Sequence, residues 1–246
     1  MGLMGFELMA DLAKLAFFVV GAYLVLQASA RRWQPGWSLL LTRRRLAVLG
    51  VLTLAMGAIK LIEDVVAKES GPVDTAILWF VREQVPAALS GFFAAVTLSG
   101  SARFLLPASA IAVLALLLAR RGFEALLLGA SMATAPLLVY VLKVVVGRDR
   151  PVLWETQTYW GSSFPSGHTL GTAAFATAAA LCLARIWPRS ASMATAVAVR
   201  WTGLVARSRL VLGVHWPSDV LAALCLGAFI PLSFSVVFDR EAAGHR

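Results

Sequence analysis

Seven stretches of about twenty predominantly apolar residues constrain this chain more than any other feature: near 8–28, 46–67, 103–119, 124–143, 168–186, 193–212 and 217–238. A bilayer core offers no water to backbone N–H and C=O groups, so a run of this length satisfies them internally as a spanning helix. The implied fold class is all-α, a polytopic membrane helix bundle. A soluble domain is excluded by composition, since 59% of the residues are hydrophobic and only 14% charged.

The charges that remain are informative by position. A net charge of +9 would suit a nucleic-acid binder, but the arginines and lysines stand in short clusters between apolar runs, the pattern of membrane loops, and nucleic acid is excluded as a partner. Arg31, Arg32, Arg43, Arg44 and Arg45, then Arg120 and Arg121, then Arg185 and Arg189 all fall on one side when seven helices span, and that side is expected to be cytoplasmic. Trp33 and Trp37 flank a linker-like piece suited to the membrane interface. Glu7, Asp11 and Lys14 crowd the start of the first run, which is expected to be an uncleaved helix, either spanning or lying in the interface. Residues 68–102 are too mixed to span, and Val73 to Phe93 is expected to form one or two amphipathic helices on the outer surface. Arg200 sits inside an apolar run, where a charge costs about 2.5–3.5 kcal/mol, and is expected to snorkel toward the cytoplasmic side. Cys182 and Cys225 lie inside apolar helices, which indicates neither a disulfide nor a zinc site.

Three polar clusters break the positive-inside pattern. Lys143, Arg148 and Arg150-Pro151 follow the fourth run; Phe164-Pro165-Ser166-Gly167-His168 opens the fifth; Ser208-Arg209, His215 and Asp219 link the sixth to the seventh. Pro165 and Gly167 shape a tight turn, and the apolar run behind them reads as a helix whose first amides and dipole can hold an anion. Pro217 suits the first turn of the last helix, placing His215 just before it and Asp219 inside it. At that offset the carboxylate accepts from one ring nitrogen and leaves the other free as a nucleophile. Phosphoryl transfer needs positive charge on the non-bridging oxygens, a nucleophile in line and an acid for the leaving oxygen. Three cations and two histidines form such a set. The third histidine, His245, stands alone in the polar tail and is expected to be solvent-exposed. No paired carboxylates stand near these residues at metal-ligand spacing, so no metal and no cofactor is implied.

In order and spacing these clusters resemble the three-part signature of the type 2 phosphatidic acid phosphatase (PAP2) superfamily, in its bacterial membrane lipid phosphatase branch. The resemblance implies a six-helix core over residues 46–246, preceded by an N-terminal apolar helix and basic cytoplasmic loop over residues 1–45. It implies that His215 attacks phosphorus to give a phosphohistidine, that Asp219 orients it and that His168 is the general acid. Lys143, Arg150 and Arg209 would hold the phosphate, with Ser166 and the backbone at Gly167. The implied function is an integral membrane lipid phosphatase of the inner membrane, acting at the periplasmic or outer face on undecaprenyl diphosphate, phosphatidylglycerol phosphate or phosphatidic acid. A lipid phosphotransferase on the same site, or a catalytically idle membrane scaffold, are the alternatives; a vanadium haloperoxidase, soluble in that superfamily, is disfavoured by the apolar helices. The partners expected are the lipid phosphate substrate and membrane lipids.

Overall fold

The computed structural model of the chain describes residues 2–154 and 161–244, and His245 lies outside them. Every apolar run expected to span is a helix: α1 (Gly2–Trp33), α3 (Arg45–Val66), α6 (Ala102–Leu118), α7 (Gly122–Val146), α8 (Gly167–Ile186), α9 (Ala191–Val211) and α10 (Pro217–Gly244). Among the described residues six segments can cross a membrane by length and apolar composition, one of them Ala87–Leu118, which joins α6 to the short helix before it. Helix α9 falls short on hydropathy, with Arg200, Arg207 and Arg209 along its 21 residues. It nevertheless starts at the end of the bundle where α8 finishes and ends at Val211, four residues before His215, so it traverses the same depth.

The remaining elements lie at the two ends. The basic segment expected as a loop is largely a short helix, α2 (Pro35–Arg43), opened by Pro35, a residue whose fixed φ suits the first helical turn. It folds back on α1, where Gln27 Nε2 donates to Thr42 Oγ1 at 2.7 Å and Tyr23 Oη to the Leu41 carbonyl at 3.3 Å. At the opposite end, the expected amphipathic stretch is α4 (Gly71–Gln84), a 3₁₀ turn (Ala87–Leu89) and α5 (Ser90–Leu98).

The core sits between α8 and α10, with α7 and α6 on one side, α3 against α10 and α9 against α8. Leu170, Ala174, Ala223 and Ile230 are buried there with Met132, Ala135 and Leu105 from α7 and α6. Alanines along α8 let the backbones approach, as small residues do between membrane helices. Contact is closest at Gly227 of α10, where a Cβ would stand 2.6 Å from both the Leu170 carbonyl oxygen and the Ala173 methyl. This pair of helices carries His168 and His215 at its neighbouring ends, so its close packing fixes how the two histidines face each other.

Arginines mark the other end. Arg44 donates to Ser235 Oγ of α10 at 3.1 Å. Arg185 stands 3.6 Å from the buried carboxylate of Glu124 and over the ring of Phe123. Arg200 is exposed on α9, beside a groove lined by Ser192, Thr195 and Ala196 that runs toward this arginine-rich end. Side chains on a helix lean toward its N-terminus, so the guanidinium has a path in that direction.

A methyl group at Gly227 has no room. Gly227→Ala should therefore destabilise the detergent-solubilised protein by roughly 1–3 kcal/mol. Gly50→Ala in α3, where nothing lies within 4 Å, should be neutral or gain a few tenths of a kcal/mol from helix propensity. Thermal unfolding of the two variants beside the parent checks both.

Candidate active site

Each polar cluster is delivered by the end of a helix. Gly147 ends α7 in the left-handed conformation at φ +61°, its N–H bonded back to the Lys143 carbonyl at 3.2 Å, which leaves Lys143 in the last turn. The chain then runs through Arg148, Asp149 and Arg150 and returns at Gly161 to enter α8. Ser163 ties these two strands of loop together, its N–H donating to the Arg148 carbonyl at 2.8 Å and its Oγ to the Asp149 carbonyl at 3.0 Å. Arg209 stands in the last turn of α9, and His215 precedes Pro217, the first residue of α10.

His215 is buried, and the orientation of its ring follows from its neighbours. Nε2 lies 3.4 Å from an Arg150 guanidinium N–H, which can only donate, so Nε2 presents its lone pair on that side. The ring proton then sits on Nδ1, 3.5 Å from Asp219 Oδ2. That oxygen also accepts the backbone N–H of Trp216 at 2.9 Å, the return arm of a helix capping box. Burial, strengthened by the fields of Arg209 and Arg150 and opposed by Asp219, holds the His215 pKa down at about 4. At neutral pH the ring is uncharged, with the Nε2 lone pair on the side of the Arg150 guanidinium.

The cations surround this nitrogen. Arg150 is clamped by carbonyls, donating to Val214 at 2.8 Å, Gly161 at 3.2 Å and Ser162 at 3.4 Å. Lys143 donates to the same Ser162 carbonyl. Arg209 is 1% exposed, a charge that burial alone would not tolerate, and one of its N–H groups donates to Thr97 Oγ1 at 2.7 Å. His168 lies within electrostatic reach of Arg209, His215, Arg150 and Lys143. A cavity of about 380 Å³ opens onto this group between α6, α7 and α8. Lys143, Gly167 and His168 form its polar end, and Leu105, Leu106, Met132, Pro136 and Val139 its apolar walls. With Arg148 included, four cations face two buried carboxylates, an excess that favours an anion.

All eight residues singled out in the sequence thus gather at one end of the bundle, with one difference in detail. The Ser166 side chain is fully buried, 3.1 Å from Thr169 Oγ1, and its N–H donates to the Asp219 carbonyl at 3.3 Å. The hydroxyl lies against Thr169 of α8, while Gly167 and His168 border the cavity.

The residues that sequence reasoning missed are those that hold the signature in place. Asp74 of α4 receives three hydrogen bonds from Arg148 and Ser218. Thr97 of α5 holds Arg209. Asp74 did carry a signal: it stands on the inward face of α4 with Leu78, four residues on, where an amphipathic helix places apolar side chains. Arg148, given only as part of the neighbourhood, is the link between Asp74 and Asp219.

Comparison with known proteins agrees with this geometry. Over 70 residues the chain is 40% identical to phosphatidylglycerophosphatase B of Escherichia coli (strain K12), an alignment covering 28% of this chain and 26% of that protein. The match thus spans about a quarter of that relative's length. Over 85 residues it is 42% identical to the putative undecaprenyl-diphosphatase YbjG of the same organism, covering 34% of this chain and 38% of the relative. Among solved structures, the transmembrane PAP2 type phosphatidylglycerolphosphate phosphatase from Bacillus subtilis superposes with a TM-score of 0.70 at 27% identity, over 78% of this chain and 96% of that one. The description of the PAP2 superfamily matches residues 124–242, the segment that holds all three polar clusters. Over that segment this multi-pass membrane protein matches the PAP2 superfamily.

Proposed function

We propose that this chain is a lipid phosphatase that hydrolyses a phosphomonoester or diphosphate of a membrane lipid through a phosphohistidine at His215. The observation that carries the reading is the convergence of two histidines and three cations, of which His168 and Lys143 line the polar end of an apolar cavity. In the first step His215 Nε2 forms a bond to phosphorus while the P–O bond to the lipid breaks, and His168 passes its proton to the departing oxygen. In the second, a water oxygen bonds to phosphorus as the P–N bond breaks and its electron pair returns to Nε2, His168 takes the water's proton, and inorganic phosphate leaves with His215 restored. Asp219 holds the Nδ1 proton throughout and balances the charge that develops on the ring. Lys143, Arg150 and Arg209 hold the phosphoryl oxygens, with the backbone at Gly167. These fixed charges do the electrostatic work that a divalent ion does in other phosphoryl-transfer sites.

Substrate class follows from the cavity walls and from the relatives. An apolar groove that reaches Lys143 suits a lipid tail, and the relatives' names include phosphatidylglycerophosphate and undecaprenyl diphosphate. Phosphatidic acid shares the same chemistry. Residues 46–246 are read as the phosphatase domain and residues 1–45 as an appended segment. The arginine-rich end, with Arg44, Arg120, Arg121 and Arg185, is read as cytoplasmic in an inner membrane, which puts the site at the periplasmic or outer face.

Purified protein in detergent should release phosphate from at least one of undecaprenyl diphosphate, phosphatidylglycerol phosphate and phosphatidic acid in the presence of EDTA. His215→Ala should abolish release, and His168→Ala should slow it by roughly 10²–10⁴-fold. No release by folded parent protein from any of the three would sink the proposal. The state of the nucleophile can be checked separately by ¹⁵N NMR of histidine-labelled protein, with His215 assigned by difference against His215→Gln. A folded-state pKa near 4 keeps the ring neutral, so its resonances should not move between pH 7.5 and 5. A midpoint near 6.5 would mean that the ring is solvated.

A further inference from the structure

We propose that Asp74 is a positioning residue for the nucleophile, acting through Arg148 and Ser218 on Asp219 and His215; the assignment rests on the phosphatase reading above. Asp74 is 2% exposed and sits in the first turn of α4, a helix that contributes nothing to the cavity. Its Oδ1 accepts the backbone N–H of Ser218 at 2.9 Å. That amide is one of the first in α10 and has no partner within its own helix, so α4 caps α10 from outside. Asp74 Oδ2 accepts from Ser218 Oγ at 2.6 Å and from Arg148 at 2.6 Å.

Arg148 uses its other guanidinium nitrogen on α10. It donates to Asp219 Oδ1 at 2.8 Å and to Ser218 Oγ at 2.7 Å, while the first nitrogen also reaches Ser70 Oγ at 3.2 Å. The guanidinium lies 5.3 Å from the centre of the Trp216 ring. One arginine thus spans two buried carboxylates, and Asp219 is left with its second oxygen directed at Trp216 N–H and His215 Nδ1.

Stability alone does not account for this arrangement. Burying a carboxylate–arginine–carboxylate group costs desolvation that its internal attraction only roughly offsets, and apolar side chains of the same volume often serve a fold as well. What the network supplies is a fixed position and a shared charge. With Asp74 present, the positive charge of Arg148 is divided between two anions. Without it, the guanidinium is free to close wholly on Asp219, which would draw that carboxylate away from Nδ1 and weaken its hold on the ring proton. The phosphate-facing cations Lys143, Arg150 and Arg209 make none of these contacts, so substrate binding should be spared.

The test is steady-state kinetics on purified full-length Asp74→Asn with the lipid phosphate that the parent turns over. We expect kcat to fall about 10–100-fold, the range seen when outer partners of a functional histidine are removed, with KM within about threefold of the parent. The His215 Nδ1 resonance should shift in the same variant, which a purely structural role would not cause. In the background of Asp219→Asn, Asp74→Asn should add little further loss, because both act on the same ring. An unchanged kcat in folded Asp74→Asn, or losses that multiply fully in the double variant, would overturn the proposal. Should Asp74→Asn fail to fold, Arg148→Lys, which keeps the charge but cannot span both carboxylates, must show the same drop in kcat. Unchanged turnover in that variant would overturn the proposal equally. Inactivity of the parent itself would count against the phosphatase reading instead.

Discussion

The guanidinium of Arg148, held between Asp74 and Asp219, is the contact on which the geometry of the site depends. It joins three parts of the chain that are far apart in sequence: the surface helix α4, the loop leaving α7 and the first turn of α10. A neutral hydrogen bond would link two of these at most. A planar cation with parallel donors can face two acceptors at once, and it supplies the opposite charge to both buried carboxylates. Because the same first turn of α10 follows His215 directly, fixing the turn fixes the ring.

Electrostatic order extends from this point across the molecule. At the site end, cations outnumber carboxylates and stay clustered although they repel one another, held by carbonyl and hydroxyl oxygens such as those of Ser162, Val214 and Thr97. At the opposite end, arginines lie near the boundary and pair with Glu124 or with the Ser235 hydroxyl. Between the two ends the charge that stands out is Arg200, exposed on α9 beside small residues that leave it a way toward the arginine-rich end. That helix is the one whose hydropathy falls below the level of its neighbours. Its residence in the bundle rests on packing against α8 and on the polar tasks of its site end more than on a preference for lipid.

Much of this is legible in the sequence for a physical reason. Runs of twenty apolar residues admit one backbone solution in a bilayer, so the positions of the helices follow from run length and hydropathy. The signature residues lie at the ends of those helices, close to chain breakers such as Pro217 and Gly147 that tie position in sequence to position in space. Asp74 offers no such tie. Its partners lie 74 and 144 residues away, and on a helix already mixed in character a carboxylate reads as surface charge until burial is known. The direction of the Ser166 hydroxyl is likewise not set by local sequence. Its motif position points to the substrate, but which way a hydroxyl turns at a helix start depends on the neighbouring helix, here the packing of α8 on α10. The short helix α2 escapes notice because nine residues between basic clusters look the same as a loop at the level of composition.

The cavity between α6, α7 and α8 has a kinetic meaning as well as a chemical one. Its walls are apolar and its polar end is Lys143 with His168, so on the proposed reading a lipid phosphate that reaches His168 along it keeps its tail in hydrocarbon throughout. Encounter is then a two-dimensional event. Its rate is set by the mole fraction of the lipid in one leaflet and by lateral diffusion, and the volume of water outside the membrane drops out of the rate law.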